Sequence, residues 1–193
     1  MNNIIYCGDY KFTFEETKSQ NIMSTENLHN AEAIKKLKEL SESARTCMFC
    51  TELSQLPNNS RPMSLQECDE EGNLWFISSA DSNKNFEISD DNRVQLYFMN
   101  NGSAEYLSIF GKAFIYKDKN TIEEKWSPFA NAWFEEGKDD PKVSIIRVTP
   151  DETYYWDTKA GKFVSMVHFI TAAITGNKSE GGDGVEGNLT VKY

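Results

Sequence analysis

Histidine is scarce in this chain, which contains only His29 and His168, far apart in the sequence. Histidine is the usual general base near neutral pH and the commonest metal ligand, so two distant copies argue against a histidine-based metal site. His168 lies among Val167, Phe169 and Ile170, which favours a role in helix packing. The sequence also lacks a nucleophile elbow, a Walker loop and a dinucleotide-binding glycine motif. We therefore expect no hydrolytic activity.

Basic residues are outnumbered, with 20 Lys and Arg against 30 Asp and Glu and a net charge of −10. Nucleic acids and anionic membranes bind surfaces where Lys and Arg cluster, so neither is an expected partner. No apolar run approaches the ~20 residues of a membrane span. The first 21 residues lack the basic-then-apolar pattern of a secretory signal. These absences predict a cytoplasmic protein.

Cysteine occurs four times, and Cys47 and Cys50 form a C-x-x-C motif. The surrounding segment, Arg45–Thr51, has the composition of a strand, in which residues three apart point to opposite faces. Such a pair is poorly placed to share a metal or a disulfide, and no second C-x-x-C completes a zinc site. Unpaired thiols fit a reducing cytoplasm.

A chain of 193 residues predicts one domain with one sizeable core. Met23–Glu26 resembles a natural protein start, so we expect residues 1–22 to be a disordered extension outside the fold. The domain is predicted to span residues 23–176. Residues 177–193, rich in Gly and acidic residues, are expected to be a flexible tail.

Hydrophobic periodicity predicts a mainly β protein with flanking helices. An apolar stripe of Ala33, Leu37, Leu40 and Ala44 marks the first helix. The predicted helices are Asn27–Ala44, Lys84–Asp90, Asp118–Ser127 and Phe163–Thr175. The predicted strands are Thr46–Glu52, Arg61–Cys68, Leu74–Ser79, Arg93–Met99 and Ala104–Lys117, followed by a closing hairpin of Lys142–Thr149 and Glu152–Thr158.

The connections between these strands are short. Asn100–Ser103 is a strong hairpin signal, and Gly111 is expected to mark a bulge or bend in a long strand. Six or seven strands with such connections predict a small antiparallel barrel.

Two neighbouring strands carry polar groups that can converge on one anion. Arg61 stands at the head of one strand, and Ser82 and Lys84 follow the end of the next. Arginine supplies a rigid fork of donors, lysine a point charge, and hydroxyls and loop amides complete an anion cradle. The alternative is a hairpin with a solvated basic loop.

Aromatic residues accompany this segment. They suit either a core or the walls of a site for a planar, phosphorylated cofactor. These residues are Trp75, Tyr97, Tyr106, Trp126, Trp133 and Trp156.

Several short motifs occur in a fixed order between about Leu28 and Gly176. They are Ser60–Leu65, Leu74–Ser79, Ser82–Lys84, Asp91-Asn92, Trp133-Phe134, Gly137, Asp139–Pro141 and Tyr155–Asp157. This ordered set resembles the flavin-binding core of the pyridoxamine 5′-phosphate oxidase-like proteins, and in particular their general stress protein branch.

The resemblance implies a split β-barrel homodimer that holds FMN, with FAD as the alternative, at the subunit interface. Arg61 and Lys84 would pair with the flavin phosphate, and Ser79 and Ser82 would donate hydroxyls to it. Ser108 would approach from the partner subunit. The other implied cofactor contacts are Pro62, Met63, the backbone of Phe76, Ile77 and Ser78, Asn83 in the phosphate loop, and Trp156.

Departures from the oxidases bear on activity. Asn83 replaces an arginine of the phosphate loop, Gln66 replaces a strand lysine that reaches the vitamer, and Tyr106 replaces a flavin-contacting glutamine. The C-terminal Trp and Arg of the oxidase site have no counterpart in residues 177–193. The resemblance thus implies a retained flavin site and a lost vitamer site.

Three functions are compatible with these residues. The first is a flavin-dependent oxidoreductase of unknown substrate, and the second is a flavin-binding or flavin-storing stress protein without turnover. A pyridoxamine 5′-phosphate oxidase is the third. A homodimer is expected because Ala104–Lys117 and the tryptophans Trp126, Trp133 and Trp156 offer much apolar surface.

Overall fold

Six antiparallel strands form a closed barrel in the computed structural model, which describes residues 4–7, 10–13, 23–158 and 184–191. The barrel order is β10-β7-β6-β5-β8-β9, and β10 closes the ring by also pairing with β9. This confirms the predicted split β-barrel. The barrel strands are β5 (Thr46–Thr51), β6 (Asn59–Cys68), β7 (Leu74–Ser79), β8 (Arg93–Asn100), β9 (Glu105–Tyr116) and β10 (Val143–Thr158).

Short strands extend the sheet beyond the barrel. Strand β11 (Gly184–Thr190) pairs with the second half of β10, and β3 (Met23–Thr25) and β4 (Leu28–His29) pair with β11 in parallel. Strands β1 (Ile4–Cys7) and β2 (Tyr10–Thr13) form a separate two-stranded sheet.

Within the described residues, three α-helices and two 3₁₀ segments flank the strands. Helix α1 (Asn30–Ala44) buries Ala33, Leu37 and Leu40, as its periodicity predicts. The remaining helices are α2 (Asn83–Asp90) and α3 (Lys119–Lys125), and the 3₁₀ segments are Pro128–Ala132 and Gly137–Asp139. The predicted helix Phe163–Thr175, with His168, lies outside the described residues. Among the described residues, no helix is long and apolar enough to cross a membrane.

The predicted closing hairpin at Lys142–Thr158 is wrong, because β10 is one continuous strand. Pro150 and Asp151 read as a turn, but the register against β9 merely shifts between Pro150 and Glu152. Pro150 faces Gly111, and a Cβ on Gly111 would lie 2.3 Å from the carbonyl oxygen of Thr149. The irregularity expected at Gly111 is therefore a close approach of two backbones, with the extra residue in β10.

The glycine-rich end also differs from the expected flexible tail. Strand β11 contains Val185 and Leu189, and both are buried. Their spacing of four residues places both side chains on one face of the strand, which packs against the main core. A glycine at position 187 is required there, because a Cβ would lie 1.8 Å from the carbonyl oxygen of Glu26.

Two hydrophobic clusters support the barrel. The larger fills the barrel and the space beneath α1, with Phe49, Phe76 and Leu96 fully buried within it. The smaller packs α3 and the first 3₁₀ segment against β7 and β10, through residues such as Ile122 and Ile145. It holds the segment from Lys119 to Ala132 in place over one wall of the barrel.

Candidate functional site

A cleft of about 850 Å³ opens where β6 and β7 face the 3₁₀ segment Pro128–Ala132. This volume lies within the range of about 300–1,000 Å³ common for small-molecule sites. Seven of the residues predicted to contact a cofactor line this cleft. They are Arg61, Pro62, Met63, Ile77, Ser78, Ser79 and Lys84.

A second, smaller cavity of about 320 Å³ adjoins the cleft. Arg61 and Lys84 line both spaces, so these two cations stand at the junction. Ser82 and Asn83, also predicted to contact the cofactor, line the smaller cavity.

Two predicted contacts, Ser108 and Trp156, lie elsewhere in a single chain, and the contact predicted at Phe76 concerns only its backbone. The Phe76 side chain is fully buried in the barrel core, where its ring meets that of Phe49 edge-on. Ser108 on β9 accepts a hydrogen bond from Gln95 at 3.0 Å. Trp156 on β10 stacks obliquely on Tyr154, with ring centroids 4.7 Å apart. Neither Ser108 nor Trp156 lines the cleft.

The Arg61 guanidinium is held by neighbours on two other elements. Its Nη2 atom forms an ion pair with Glu87 of α2 at 2.7 Å, and its Nη1 atom donates to the Thr51 hydroxyl at 2.6 Å. The side chain is half-buried. Its orientation is thus set by β5 and α2 rather than by its own strand.

Lys84 occupies the first turn of α2, where backbone N–H groups and the helix dipole favour a bound anion. Burial and the neighbouring Arg61 charge lower the pKa of Lys84, while Glu87 opposes the shift. Within the described residues, no carboxylate lies within ion-pair distance of its Nζ atom. An anion placed between Arg61 and Lys84 would relieve this repulsion.

A buried polar network fixes the start of α2. Ser78 donates a hydrogen bond to the Asn85 side-chain oxygen at 2.9 Å, and the Asn85 amide donates to Ser144 at 2.8 Å. Ser144 in turn donates to the backbone carbonyl of Ser78 at 3.1 Å, and Ser82 lies 3.3 Å from Asn85. The segment from Ser82 to Asn85, at the start of α2, is therefore tied to both β7 and β10.

The lining of the cleft is positively charged, although the net charge of the chain is negative. Its lining includes four basic residues, and the single acidic one is Asp81. Asp81 accepts a hydrogen bond from Ser79, which lowers the pKa of its carboxyl group. In a protein with a net charge of −10, such a concentration of cations favours an anionic ligand. The basic residues are Arg45, Arg61, Lys84 and Lys142.

The wall facing the strands is aromatic. Phe129 and Trp133 line the cleft and remain 85% and 76% exposed, so each presents an apolar face to the open space. Phe134 also lines the cleft but is buried, and its ring contacts that of Trp126. Trp75, another tryptophan of the predicted aromatic set, lies on β7. It is buried, and its indole N–H donates to Asp69 at 2.8 Å.

Sequence reasoning missed Glu87, Asn59 and Phe129. Glu87 and Asn59 line the smaller cavity, where they are hydrogen bonded at 2.8 Å. Nothing in the local sequence marks Glu87, because an acidic residue on a short helix has the pattern of a solvated face. Phe129 could have been identified from the sequence, because it directly follows Pro128 in an irregular segment that contains no buried strand.

Cysteine and metal chemistry have no centre in the described part of the chain. Cys47, Cys50 and Cys68 are buried free thiols. No group of three or more His, Cys, Asp or Glu side chains among the described residues is arranged to hold a metal ion.

Comparison with known proteins identifies similar sequences and folds. The protein bli-3 of Neurospora crassa is 28% identical over 105 residues, which cover 50% of each chain, so the alignment spans half the length of that relative. A protein described as general stress protein 26, from Jannaschia sp. CCS1, has the same fold. Its TM-score is 0.61 at 22% identity, over 81% of this chain and 94% of that one.

A third relative is described as binding a flavin. The general stress FMN/FAD binding protein of Xanthomonas citri is 27% identical, with a TM-score of 0.57 over 67% of this chain and 90% of that one. The family described as pyridoxamine 5′-phosphate oxidase like matches residues 32–180, which include the whole barrel and the cleft. The chain belongs to the pyridoxamine 5′-phosphate oxidase-like family.

Proposed function

We propose that this chain binds a flavin nucleotide in the cleft, with the phosphate between Arg61 and Lys84. The observation that carries the proposal is the pairing of two half-buried cations at one end of the cleft with an exposed aromatic wall along its side. A flavin has the matching parts, because its phosphate is anionic and its ring system is planar and apolar. Membership of the family and the FMN/FAD binding protein of Xanthomonas citri support this choice.

The donor set fits a phosphate. Lys84 supplies a point charge, Arg61 a guanidinium, and the start of α2 supplies backbone N–H groups. Asn83 stands where the oxidases carry an arginine, so one guanidinium fork is absent. The ring system would lie along Pro62, Met63 and the β7 backbone at Ile77–Ser79, opposite Trp133.

The functional unit of the proposal is a homodimer. Strands β8 and β9 turn Tyr97, Met99 and Tyr106 outwards on adjacent positions, and we name these three residues the outer patch. They are 44%, 52% and 38% exposed, an unusual apolar surface for a monomer. Ser108 is opposite Tyr97 and Trp156 is opposite Tyr106, so a second copy covering the patch would receive both side chains.

Such an arrangement accounts for Ser108 and Trp156, which lie far along the sheet from the cleft of their own chain. In the proposed dimer they serve the flavin of the partner. The flavin supplies hydride and electron transfer, and the chain's own residues bind, orient and shield it. The proposed activity is a cytoplasmic flavin-dependent oxidoreduction, and free buried thiols fit a reducing compartment.

A non-catalytic flavin carrier is the second candidate, and one observation favours it. The described residues that line the cleft include no histidine and no cysteine, and their one carboxylate, Asp81, has a lowered pKa. The described lining thus offers no histidine, thiol or carboxyl group of raised pKa as a general acid or base.

Titration of the flavin-free protein with FMN and FAD tests binding, with flavin fluorescence as the signal. We expect quenching that saturates at tens of micromolar or below, and no change in fluorescence would refute flavin binding. Anaerobic addition of NADH or NADPH to the loaded protein then separates the two candidates. Bleaching of the flavin absorbance within seconds supports an oxidoreductase, and its persistence over many minutes supports a carrier.

A further inference from the structure

A further cation lines the cleft beyond the place assigned to the flavin. Arg45 lines it together with Ser64 and Gln66 of β6. A strand advances about 3.3 Å per residue, so Gln66 lies roughly 16 Å along β6 from Arg61. The flavin proposed above begins at Arg61 and runs along the next two residues of β6. The part of the cleft beside Arg45 and Ser64–Gln66 is therefore left for a second ligand.

Two irregularities of the backbone meet at this end of the cleft. Arg45 follows the last residue of α1 with φ at 59° and ψ at −25°, in the left-handed region. Gln66 is the extra residue of a bulge in β6, because the register against β7 shifts between Leu65 and Glu67. The N–H of Leu65 donates to the carbonyl oxygen of Arg45 at 2.8 Å and so joins the two. Bulges and left-handed residues of this kind redirect side chains, and here both side chains line the cleft.

Arg45 occupies a position where glycine is the usual residue, because a left-handed helix end is unfavourable for a side chain with a Cβ. Among the described non-glycine residues with positive φ, Arg45 is the one that lines the cleft. It is exposed, and no described carboxylate pairs with its guanidinium, although the chain has 30 Asp and Glu. The other arginines are partnered, namely Arg61 by Glu87, Arg93 by Asp91, and Arg147 by the rings of Trp75, Phe114 and Tyr116. The guanidinium of Arg45 is thus available to a ligand.

The donors at this end suit a carboxylate. A guanidinium donates two parallel hydrogen bonds to the two oxygens of a carboxylate, and Ser64 and Gln66 add neutral donors. The single charge of Arg45 matches that of a carboxylate, whereas a phosphate monoester carries about −1.5 to −2 at pH 7. Phe129 and Trp133 present exposed aromatic faces to the same cleft, which favours a ligand with an aromatic body.

We propose that Arg45 is a specificity-determining residue, and that it selects an aromatic carboxylic acid as the substrate of this chain. The inference rests on the proposed flavin binding in the cleft. Arg45 holds the carboxylate, assisted by Ser64 and Gln66, and the aromatic body extends from there toward the flavin ring.

The test titrates benzoate and its uncharged analogue benzamide into the FMN-loaded, full-length protein, with calorimetry as the measurement. We expect benzoate to bind at least about tenfold more tightly than benzamide, because only benzoate makes a charge-assisted contact. Arg45→Gly should remove this difference and leave the affinity for FMN within about twofold. Its unfolding temperature should stay the same or rise by up to about 4 °C, since glycine adopts the left-handed conformation freely.

Ala104→Gly is the matched control. Ala104 also has a positive φ, of 57°, but it lies in the turn between β8 and β9, outside the lining of the cleft. Glycine at this position gives the same backbone freedom without removing a cation, so the preference for benzoate should persist. An equal loss of benzoate affinity in both variants would show an effect of backbone freedom and overturn the assignment.

Three further results would overturn the proposal. One is equal affinity for benzamide and benzoate in the unaltered protein, a measurement that needs no variant to fold. Another is tighter binding of phenyl phosphate than of benzoate, lost in Arg45→Gly, which would assign the site to phosphates. The third is a fall of several degrees in the unfolding temperature of Arg45→Gly, which would make Arg45 a stabiliser of the helix end. Failure to bind FMN would refute the proposed function, whereas FMN binding without benzoate binding would refute this inference alone.

Discussion

Asn85 and Ser144 are joined by a buried hydrogen bond of 2.8 Å across 59 residues of sequence. The bond connects the first turns of α2 to β10, and through Ser78 the same asparagine reaches β7. The position of the predicted phosphate loop therefore depends on a side chain that lines neither the cleft nor the smaller cavity.

Asn85→Ala should lower both stability and phosphate recognition. Removal of the amide breaks the hydrogen bonds that the buried Ser78 and Ser144 hydroxyls form with Asn85, at a cost of about 1–3 kcal/mol in the free energy of unfolding. FMN and FAD should bind more weakly while riboflavin is less affected, because the loop shifts but the ring wall remains. Urea unfolding and flavin titration measure the two effects.

Ser89→Ala on the same helix is the control for Asn85→Ala. Its hydroxyl donates only to the backbone oxygen of Asn85 and faces outwards, so we expect almost no change in either measurement. Equal losses of riboflavin and FMN affinity in Asn85→Ala would indicate a general structural role.

Lys84→Met should weaken the binding of FMN and FAD by about ten- to a hundredfold, since a charge-assisted contact to phosphate contributes ~1.5–3 kcal/mol. Methionine preserves most of the apolar stem, and riboflavin binding should not change. Arg61→Ala should weaken the binding of FMN and FAD too. Its effect is harder to interpret, because it also leaves Glu87 without its ion-pair partner. Lys142→Met removes a cation of the cleft lining that lies near Asp81 and should have a much smaller effect on FMN and FAD binding. Equal riboflavin and FMN affinity in the unaltered protein would contradict the phosphate site.

Tyr97→Glu should separate the proposed dimer. A carboxylate in the centre of the outer patch would be buried against a second copy without a partner, which is strongly unfavourable. Light scattering coupled to size exclusion should change from a dimer to a monomer mass, with reduced flavin affinity. Leu56→Glu, in the exposed loop after β5, should remain dimeric. A monomeric unaltered protein that still binds flavin would rule out a shared site.

Cys68 should resist alkylation in the folded protein. Burial raises the pKa of its thiol to about 12, so only about one molecule in ten thousand is a thiolate at pH 8. Iodoacetamide followed by mass spectrometry should leave Cys68 unmodified while added free cysteine reacts. The same treatment in guanidinium should label Cys68, and rapid labelling without denaturant would show that its buried site opens readily.

Pyridoxamine 5′-phosphate should not be oxidised at a useful rate. Gln66 lines the cleft at the position where the resemblance assigns a phosphate-binding lysine, and it is uncharged. Loss of that cation, together with the missing C-terminal Trp and Arg, should reduce kcat/KM by at least about a thousandfold. Absorbance of pyridoxal 5′-phosphate reports the product from flavin-loaded protein. Turnover within tenfold of an ordinary oxidase would contradict this reading of Gln66.

The barrel strands were predictable because local signals agreed with the final packing. Arg93–Met99 and Ala104–Lys117 alternate between buried and exposed residues, and Asn100–Ser103 supplies the turn between them, as observed. The prediction of a turn at Pro150 was wrong because there the local signal disagreed with the final packing. A proline next to an aspartate is typical of a turn, and only the neighbouring Gly111 on β9 lets the strand continue past it.

The cleft was only partly predictable. Arg61 lies at the head of one strand and Lys84 follows the end of its neighbour, so their convergence could be predicted from the strand ends. Glu87 enters the same site through the rotation of α2, which depends on the Asn85 network rather than on any local pattern. Phe129 and Trp133 face the cleft because the small cluster around Ile122 and Ile145 fixes their segment.

Strand β11 has a consequence for the order in which the molecule assembles. In the described part of the chain, β3 and β4 pair with β11 and with no other strand, and Asn188 bonds Asn27 across 161 residues. During synthesis these early segments leave the ribosome long before their only sheet partner exists. The barrel can close first, and the two ends then join it together in a late step with a long loop to close.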